Sequence, residues 1–243
     1  EGGTYTAVLD PLLAGVLVHE AFGHLSEADG LQDNPRMQEE LALGRTMGAK
    51  ALNIVDDGTR EGGTGTHPVD DEGTPTRKTY LVKDGILSGR LHSRETAGKM
   101  GEPPTGNARS VDRFHPPIVR MTNTYIEPGT ARFRDMLCGI DKGLYACRMQ
   151  GGMTNGEQFS FSAGYGYRIE KGEVGPLVRD VVISGNVFRT LHAIDTIGDD
   201  LAFDRSPGGC GKGNQNPLPV GMGAPHIRIR EVVIGGTQGG SRG

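Results

Sequence analysis

The sequence lacks long apolar runs, a basic leader and a cysteine framework, and each absence excludes a class of protein. No apolar run approaches the roughly 20 residues that a membrane-spanning helix needs, so we predict no membrane partner. The first residues are polar and lack the basic start of a secretory signal peptide. The three cysteines are too few, and odd in number, for a disulfide scaffold. A reducing compartment fits this usage, and we predict a cytoplasmic protein.

The sequence also has no large excess of positive or negative charge. The formal net charge is -4, tryptophan is absent and aromatic residues make up 5% of the chain. Nucleic-acid-binding domains carry a basic patch or stripe, and no basic stripe with interleaved aromatic residues is present. We therefore expect no nucleic-acid partner.

Glycine, by contrast, is abundant, with 40 residues scattered along the chain. This distribution favours short strands joined by turns. Asp10-Pro11 is a typical helix start followed by apolar residues at helical spacing, which predicts a buried helix over 11–23. Asp84-Gly85 between two apolar segments predicts a hairpin. Further strands are predicted at 51–55, 118–125, 143–148, 157–170, 178–184 and 227–234, and short helices at 35–43 and 132–137.

These elements predict one α+β domain over residues 1–243. It is expected to be mainly antiparallel β with a few helices, and to carry a histidine motif at the end of its N-terminal helix. That motif is His19-Glu20-Ala-Phe-Gly23-His24. It has one residue more between its histidines than the H-E-x-x-H signature of zinc proteases.

The extra residue poses a geometric problem. An α-helix turns by ~100° per residue, so side chains five residues apart point ~140° away from each other. His19 and His24 could therefore share a metal ion only if the helix ended or bulged between them. Gly23 is the residue that would permit this, through either a π-type turn or a left-handed glycine after Phe22.

A zinc site also needs a third protein ligand. Cys210 is the best candidate, because a thiolate suits zinc and glycine stands on both sides of it. Cys138 and Cys147 have apolar neighbours and are predicted to lie in the core. Glu20 would then be the general base that deprotonates a metal-bound water.

Glu27 and Asp29 follow the histidine motif directly. Acidic residues in this position could orient the histidine rings from outside the ligand set. We favour the alternative interpretation, a solvated acidic loop.

The histidine motif and Cys210 each lie within a longer recognisable segment. "GVLVHEAFGHLSEAD" and, far downstream, "GCGKGNQNPLPVGMGAPHIRI" closely resemble the TldD branch of the TldD/PmbA family of metalloproteases. "VDDGT", "DDEGTPT", "PPTGNARS" and "RMTNTYIEPG" resemble other segments of that family and occur in the same order. The resemblance spans essentially the whole chain and corresponds to the C-terminal catalytic domain of the family. We expect the family's N-terminal domain to be absent from this chain.

The resemblance implies a ligand set and an activity. The family's zinc ligands fall on His19, His24 and Cys210, and its motif glutamate falls on Glu20. It implies a zinc cofactor and hydrolysis of small or unfolded peptides in a cavity formed by two subunits. The partner would be a second copy or a related PmbA/TldE-type subunit, so a homodimer or a heterodimer is expected.

Two other functions remain open at this point. A zinc-stabilised binding or regulatory module, related to gyrase or to a toxin, would hydrolyse nothing and would not require Glu20. A structural zinc site would also favour a fourth protein ligand, for which the sequence offers no good candidate. A hydrolase acting on a different amide is the remaining alternative.

Overall fold

The computed structural model describes residues 2–204 and 209–235 and consists of strands with a few short helices. The helices are α1 (Pro11–Leu17), α2 (Pro35–Glu40), α3 (Arg94–Met100), α4 (Phe133–Leu137) and α5 (Val187–Ala193). The strands are β1 (Gly3–Leu9), β2 (Ile54–Asp57), β3 (Lys78–Lys83), β4 (Ile86–Leu87), β5 (Ala108–Arg109), β6 (Ile118–Val119), β7 (Asn123–Ile126), β8 (Lys142–Asn155), β9 (Gln158–Glu170), β10 (Glu173–Val178), β11 (Val182–Asn186), β12 (Ile194–Ile197), β13 (Ala202–Phe203), β14 (Gly209–Lys212), β15 (Gln215–Pro219), β16 (Gly221–Ala224) and β17 (Ile227–Gly235).

The larger sheet has seven strands and closes on itself. Its order is β1-β8-β9-β11-β17-β12, β10 adds to β9, and β1 also pairs with β17. Gly3 lies opposite Ile234 and Leu9 opposite Ile227, so the first and last described strands are neighbours over their whole length. The β1–β8 pairing is parallel and the others in this sheet are antiparallel.

The second sheet has six strands in the order β13-β16-β7-β2-β3-β4. Here β7 and β16 are parallel and the remaining pairings are antiparallel. Two short hairpin-like pairs, β14-β15 and β5-β6, stand apart from both sheets. The predicted α+β class with mainly antiparallel strands is confirmed.

Helix α1 connects the two sheets and begins as the sequence predicts. Asp10 accepts a hydrogen bond from the backbone N–H of Leu13 at 2.8 Å, and Pro11 occupies the first turn. The Asp10 carboxylate also accepts from the N–H of Arg148 in β8 at 3.0 Å, which ties the helix start to the larger sheet. At the other side, Gly15 lies directly against the backbone of Gly223 in β16.

Several predicted elements differ from the observed ones. The hairpin at Asp84-Gly85 forms as predicted, with both residues at positive φ. The predicted strand 118–125 is two strands, β6 and β7, and the buried Arg120 lies between them. Helices α3 and α5 were not predicted. Cys147 is buried as expected, but the prediction of a core position for Cys138 is wrong, since it is exposed after α4. No helix in the described part of the chain is long and apolar enough to cross a membrane.

The contact of α1 with β16 generates a stability prediction. A Cβ at position 15 would lie 3.0 Å from the Gly223 backbone nitrogen, where only backbone movement could relieve the overlap. Gly15→Val should therefore lower the free energy of unfolding by about 1–3 kcal/mol, measured by urea denaturation.

Gly98→Ala provides the matched control for this measurement. Gly98 lies in α3 and a Cβ there would meet nothing within 4 Å. Because alanine is the better helix former, this variant should gain up to about 1 kcal/mol. An unchanged urea midpoint for Gly15→Val would contradict the close packing.

Candidate metal centre

The two motif histidines are brought to one side by a change of helix type. After Leu17 the backbone continues as a π-helical turn, Val18–Gly23, and then as a 3₁₀ turn, His24–Ser26. The N–H of His24 donates to the carbonyl of His19, five residues back, in place of the usual four. The extra residue of the motif is absorbed by this wider turn, and the two ring centroids lie 5.3 Å apart.

Gly23 has a different role from its predicted alternatives. Its φ is −56°, an ordinary right-handed value, so the left-handed alternative is wrong and the π-type alternative describes the structure. Glycine is needed here for space, because a Cβ would overlap the Sδ atom of the buried Met121.

Three potential ligand atoms meet at this turn. His19, His24 and Cys210 each offer one atom, and these atoms lie within 4.8 Å of one another. The Sγ of Cys210 lies 3.1 Å from Nε2 of His24. The structure thus brings together two side chains from near the start of the sequence and one from near its end.

His19 is the most unusual member of the cluster. It is fully buried, and neither ring nitrogen has a hydrogen-bond partner among the described residues. Burial holds the pKa of His19 well below its usual value, and the nearby His24 and Arg120 lower it further. The ring is therefore neutral at pH 7, with an unused lone pair on a buried nitrogen. That is the state in which histidine binds a metal ion.

His24 is oriented by a neighbouring carboxylate. Its Nδ1 lies 2.9 Å from Oε2 of Glu27, which leaves Nε2 directed at Cys210. Burial alone lowers the pKa of His24, but the hydrogen bonds with Cys210 and Glu27 outweigh it and raise the pKa to about 10. Glu27 is 2% exposed, so the prediction that it lies in a solvated loop is wrong. It takes the orienting position instead.

Glu20 stands at the open side of the cluster. Its side chain is partly exposed, and Oε2 lies 3.9 Å from Nε2 of His24. Partial burial raises its pKa, His24 opposes that shift and Glu27 adds to it. A carboxylate with a raised pKa, close to the ligand atoms but not among them, can accept and return a proton.

The β14–β15 hairpin, which carries Cys210, is held by arginine side chains. Arg120 is fully buried and donates to the carbonyls of Cys210 at 2.6 Å and Gln215 at 3.3 Å. Arg109 donates to the carbonyl of Pro219 at 2.9 Å. The sequence did not predict a role for these arginines. Their acceptors are backbone carbonyls about a hundred residues away, and a sequence pattern gives no signal for such partners.

The buried His19 generates a pH prediction for the chelator-treated chain. Its folded-state pKa is depressed, so below pH 6.5 the unfolded state binds a proton that the folded state does not. The free energy of unfolding should then fall by about 1.4 kcal/mol per pH unit as the pH drops from 6.5. The raised pKa of His24 affects the free energy of unfolding in a different pH range. Its stabilising contribution is complete below pH 6.5 and is lost as the pH rises towards 10.

Two leucine substitutions test this assignment by urea denaturation between pH 7 and pH 5. His19→Leu should remove the part of the pH dependence of the unfolding free energy that comes from His19. His192→Leu, on the exposed side of α5, should retain it. A His19→Leu slope equal to that of the unmutated chain would contradict the assignment.

Comparison with known proteins places this chain in a family. Residues 2–236 match the family described as the PmbA/TldA metallopeptidase C-terminal domain. A metalloprotease of Synechocystis sp. is 55% identical over 236 residues, which cover 97% of this chain and 51% of that protein. A zinc metalloprotease TldD homolog of Saccharolobus solfataricus is 35% identical over 243 residues, covering 97% of this chain and 52% of the relative.

A solved structure has the same fold. TldE from Thermococcus kodakarensis superposes with a TM-score of 0.78 at 22% identity, over 97% of this chain and 51% of that one. The chain thus spans about half the length of the relatives it matches. By its sequence match over nearly all of its length, the chain belongs to the PmbA/TldD family of metallopeptidases.

Proposed function

We propose that this chain is the catalytic domain of a zinc metallopeptidase, with His19, His24 and Cys210 as ligands and Glu20 as general base. The observation that carries the proposal is the fully buried His19 ring, whose two nitrogens have no partner among the described residues. Leaving a buried polar group unpaired is costly, so such a ring calls for a ligand.

The donor set supports zinc. Two imidazoles and one thiolate are typical zinc ligands, and a structural zinc site would have four protein ligands. Within the described residues, these three are the only group of His, Cys, Asp and Glu side chains close enough to share an ion. Three protein ligands with one open position are typical of a catalytic zinc site.

The chemistry then divides between the ion and the protein. When bound, zinc would lower the pKa of a water molecule and polarise a peptide carbonyl. Glu20 would take the water proton on its carboxylate and pass it to the leaving amine. The raised pKa of Glu20 suits this exchange, because a catalytic acid–base works best when its pKa lies near the working pH.

The resemblance and the relatives support a proposal for the substrate and the partner. We propose small or unfolded peptides as substrates, bound as an extended strand through backbone hydrogen bonds. A solved structure of the same fold is a TldE, and relatives are named TldD homologs, which supports a second copy or a PmbA/TldE-type subunit as partner. A cytoplasmic location remains part of the proposal.

Replacing Glu20 separates metal binding from catalysis. Glu20→Gln should retain zinc, measured by elemental analysis, and should lower the rate of peptide cleavage by about 10²- to 10⁴-fold. His19→Gln and Cys210→Ser should lose the metal, and chelator should abolish cleavage by the unmutated chain.

The binding-module alternative predicts a different pattern. If the chain were a zinc-stabilised regulator, Glu20→Gln would leave every property unchanged and no unfolded peptide would be cut, with or without a partner subunit. Cleavage that persisted undiminished in the zinc-loaded Glu20→Gln variant would refute the role of Glu20.

A further inference from the structure

Among the residues that the structure describes, Lys212 is the one lysine or arginine in contact with Glu27, the carboxylate that orients His24. Its Nζ lies 3.1 Å from Oε2 of Glu27, the same oxygen that faces Nδ1 of His24. The ammonium donates hydrogen bonds to Asp29 at 2.6 Å and to the carbonyl of Val119 at 2.9 Å. Its contact with Glu27 is an ion pair, so the ammonium lies between two carboxylates and a carbonyl.

The position of Lys212 in the sequence links it to the ligand set. Lys212 and Cys210 lie two residues apart on β14. The β14–β15 register shifts between these two residues, and both side chains nevertheless reach the histidine turn. Cys210 reaches Nε2 of His24, and Lys212 reaches the carboxylate on its Nδ1 side.

The contact between Lys212 and Glu27 matters because the Glu27 carboxylate is buried. Glu27 is 2% exposed, and its second oxygen has no partner among the described residues. A buried carboxylate is stable as an anion only when it is paired. When His24 binds a metal ion as a neutral ring, Lys212 is the cation in contact with Glu27 that remains to pair with it.

We propose that Lys212 is a positioning residue of the metal centre, which fixes Glu27 and through it the ring of His24. The inference rests on the zinc site proposed above. Cys210 and Lys212 share a strand. When β14 packs against the histidine turn, it therefore positions the Cys210 thiolate and, through Glu27, also orients the imidazole of His24. Groups that orient metal ligands typically change metal affinity by about 10- to 100-fold when removed.

The test uses the whole chain and measures zinc affinity by chelator competition. Lys212→Met keeps the length of the side chain and removes the charge, and Glu27→Gln keeps the volume of its partner. Each should weaken zinc binding by about 10- to 100-fold. Lys99→Met, an exposed lysine of α3 paired with Glu95, is the matched control and should bind as the unmutated chain does.

A double variant distinguishes positioning from a general loss of structure. If Lys212 acts through Glu27, the Lys212→Met/Glu27→Gln chain should bind zinc no more weakly than the weaker single variant. The visible spectrum of the cobalt-substituted chain should also change in Lys212→Met, because the ring of His24 is no longer held in one orientation. Circular dichroism of the metal-free variants checks that they fold.

The outcomes separate the two proposals. Absence of zinc binding by the unmutated chain would overturn the proposed function itself. Normal binding by that chain, with Lys212→Met equal to it in affinity and cobalt spectrum, would overturn only the role of Lys212. Losses that multiply in the double variant would also overturn it, because Lys212 would then act independently of Glu27.

Discussion

The candidate site depends on one backbone hydrogen bond, from the N–H of His24 to the carbonyl of His19. Regular α-helical pairing would direct the two rings ~140° apart and leave no common point between them. The wider turn brings the rings together, and the side chain of Met121 keeps it compact by occupying the space beside Gly23. Turns of this type are rare and frequently mark functional sites.

The two histidines are held in opposite electrostatic states by their surroundings. His19 is buried without a partner and stays neutral, whereas His24 faces the Glu27 carboxylate and the Cys210 sulfur, which favour its charged form. Of these two rings, only that of His19 has unused nitrogens among the described residues. The divalent cation proposed above would occupy one of them and would take the place of the proton on Nε2 of His24.

The sequence predicted features that depend on near neighbours. Asp10 as a helix cap, the Asp84-Gly85 turn and the need for a bulge before His24 follow from residues within a few positions of each other. The sequence did not reveal that Glu27 is buried, because its burial depends on strand-like pairing with Leu91, more than sixty positions away. The grouping of Cys210 with the histidines was predicted, and its role as a ligand stays a prediction.

The pairing of β1 with β17 has a consequence for the order of events during protein synthesis. The histidine turn is synthesised well before the strand that closes the larger sheet and the hairpin that carries Cys210. A nascent chain therefore cannot complete either the sheet or the three-atom cluster. If the cluster is a hydrolytic centre, an unfinished polypeptide is unable to digest its neighbours or itself.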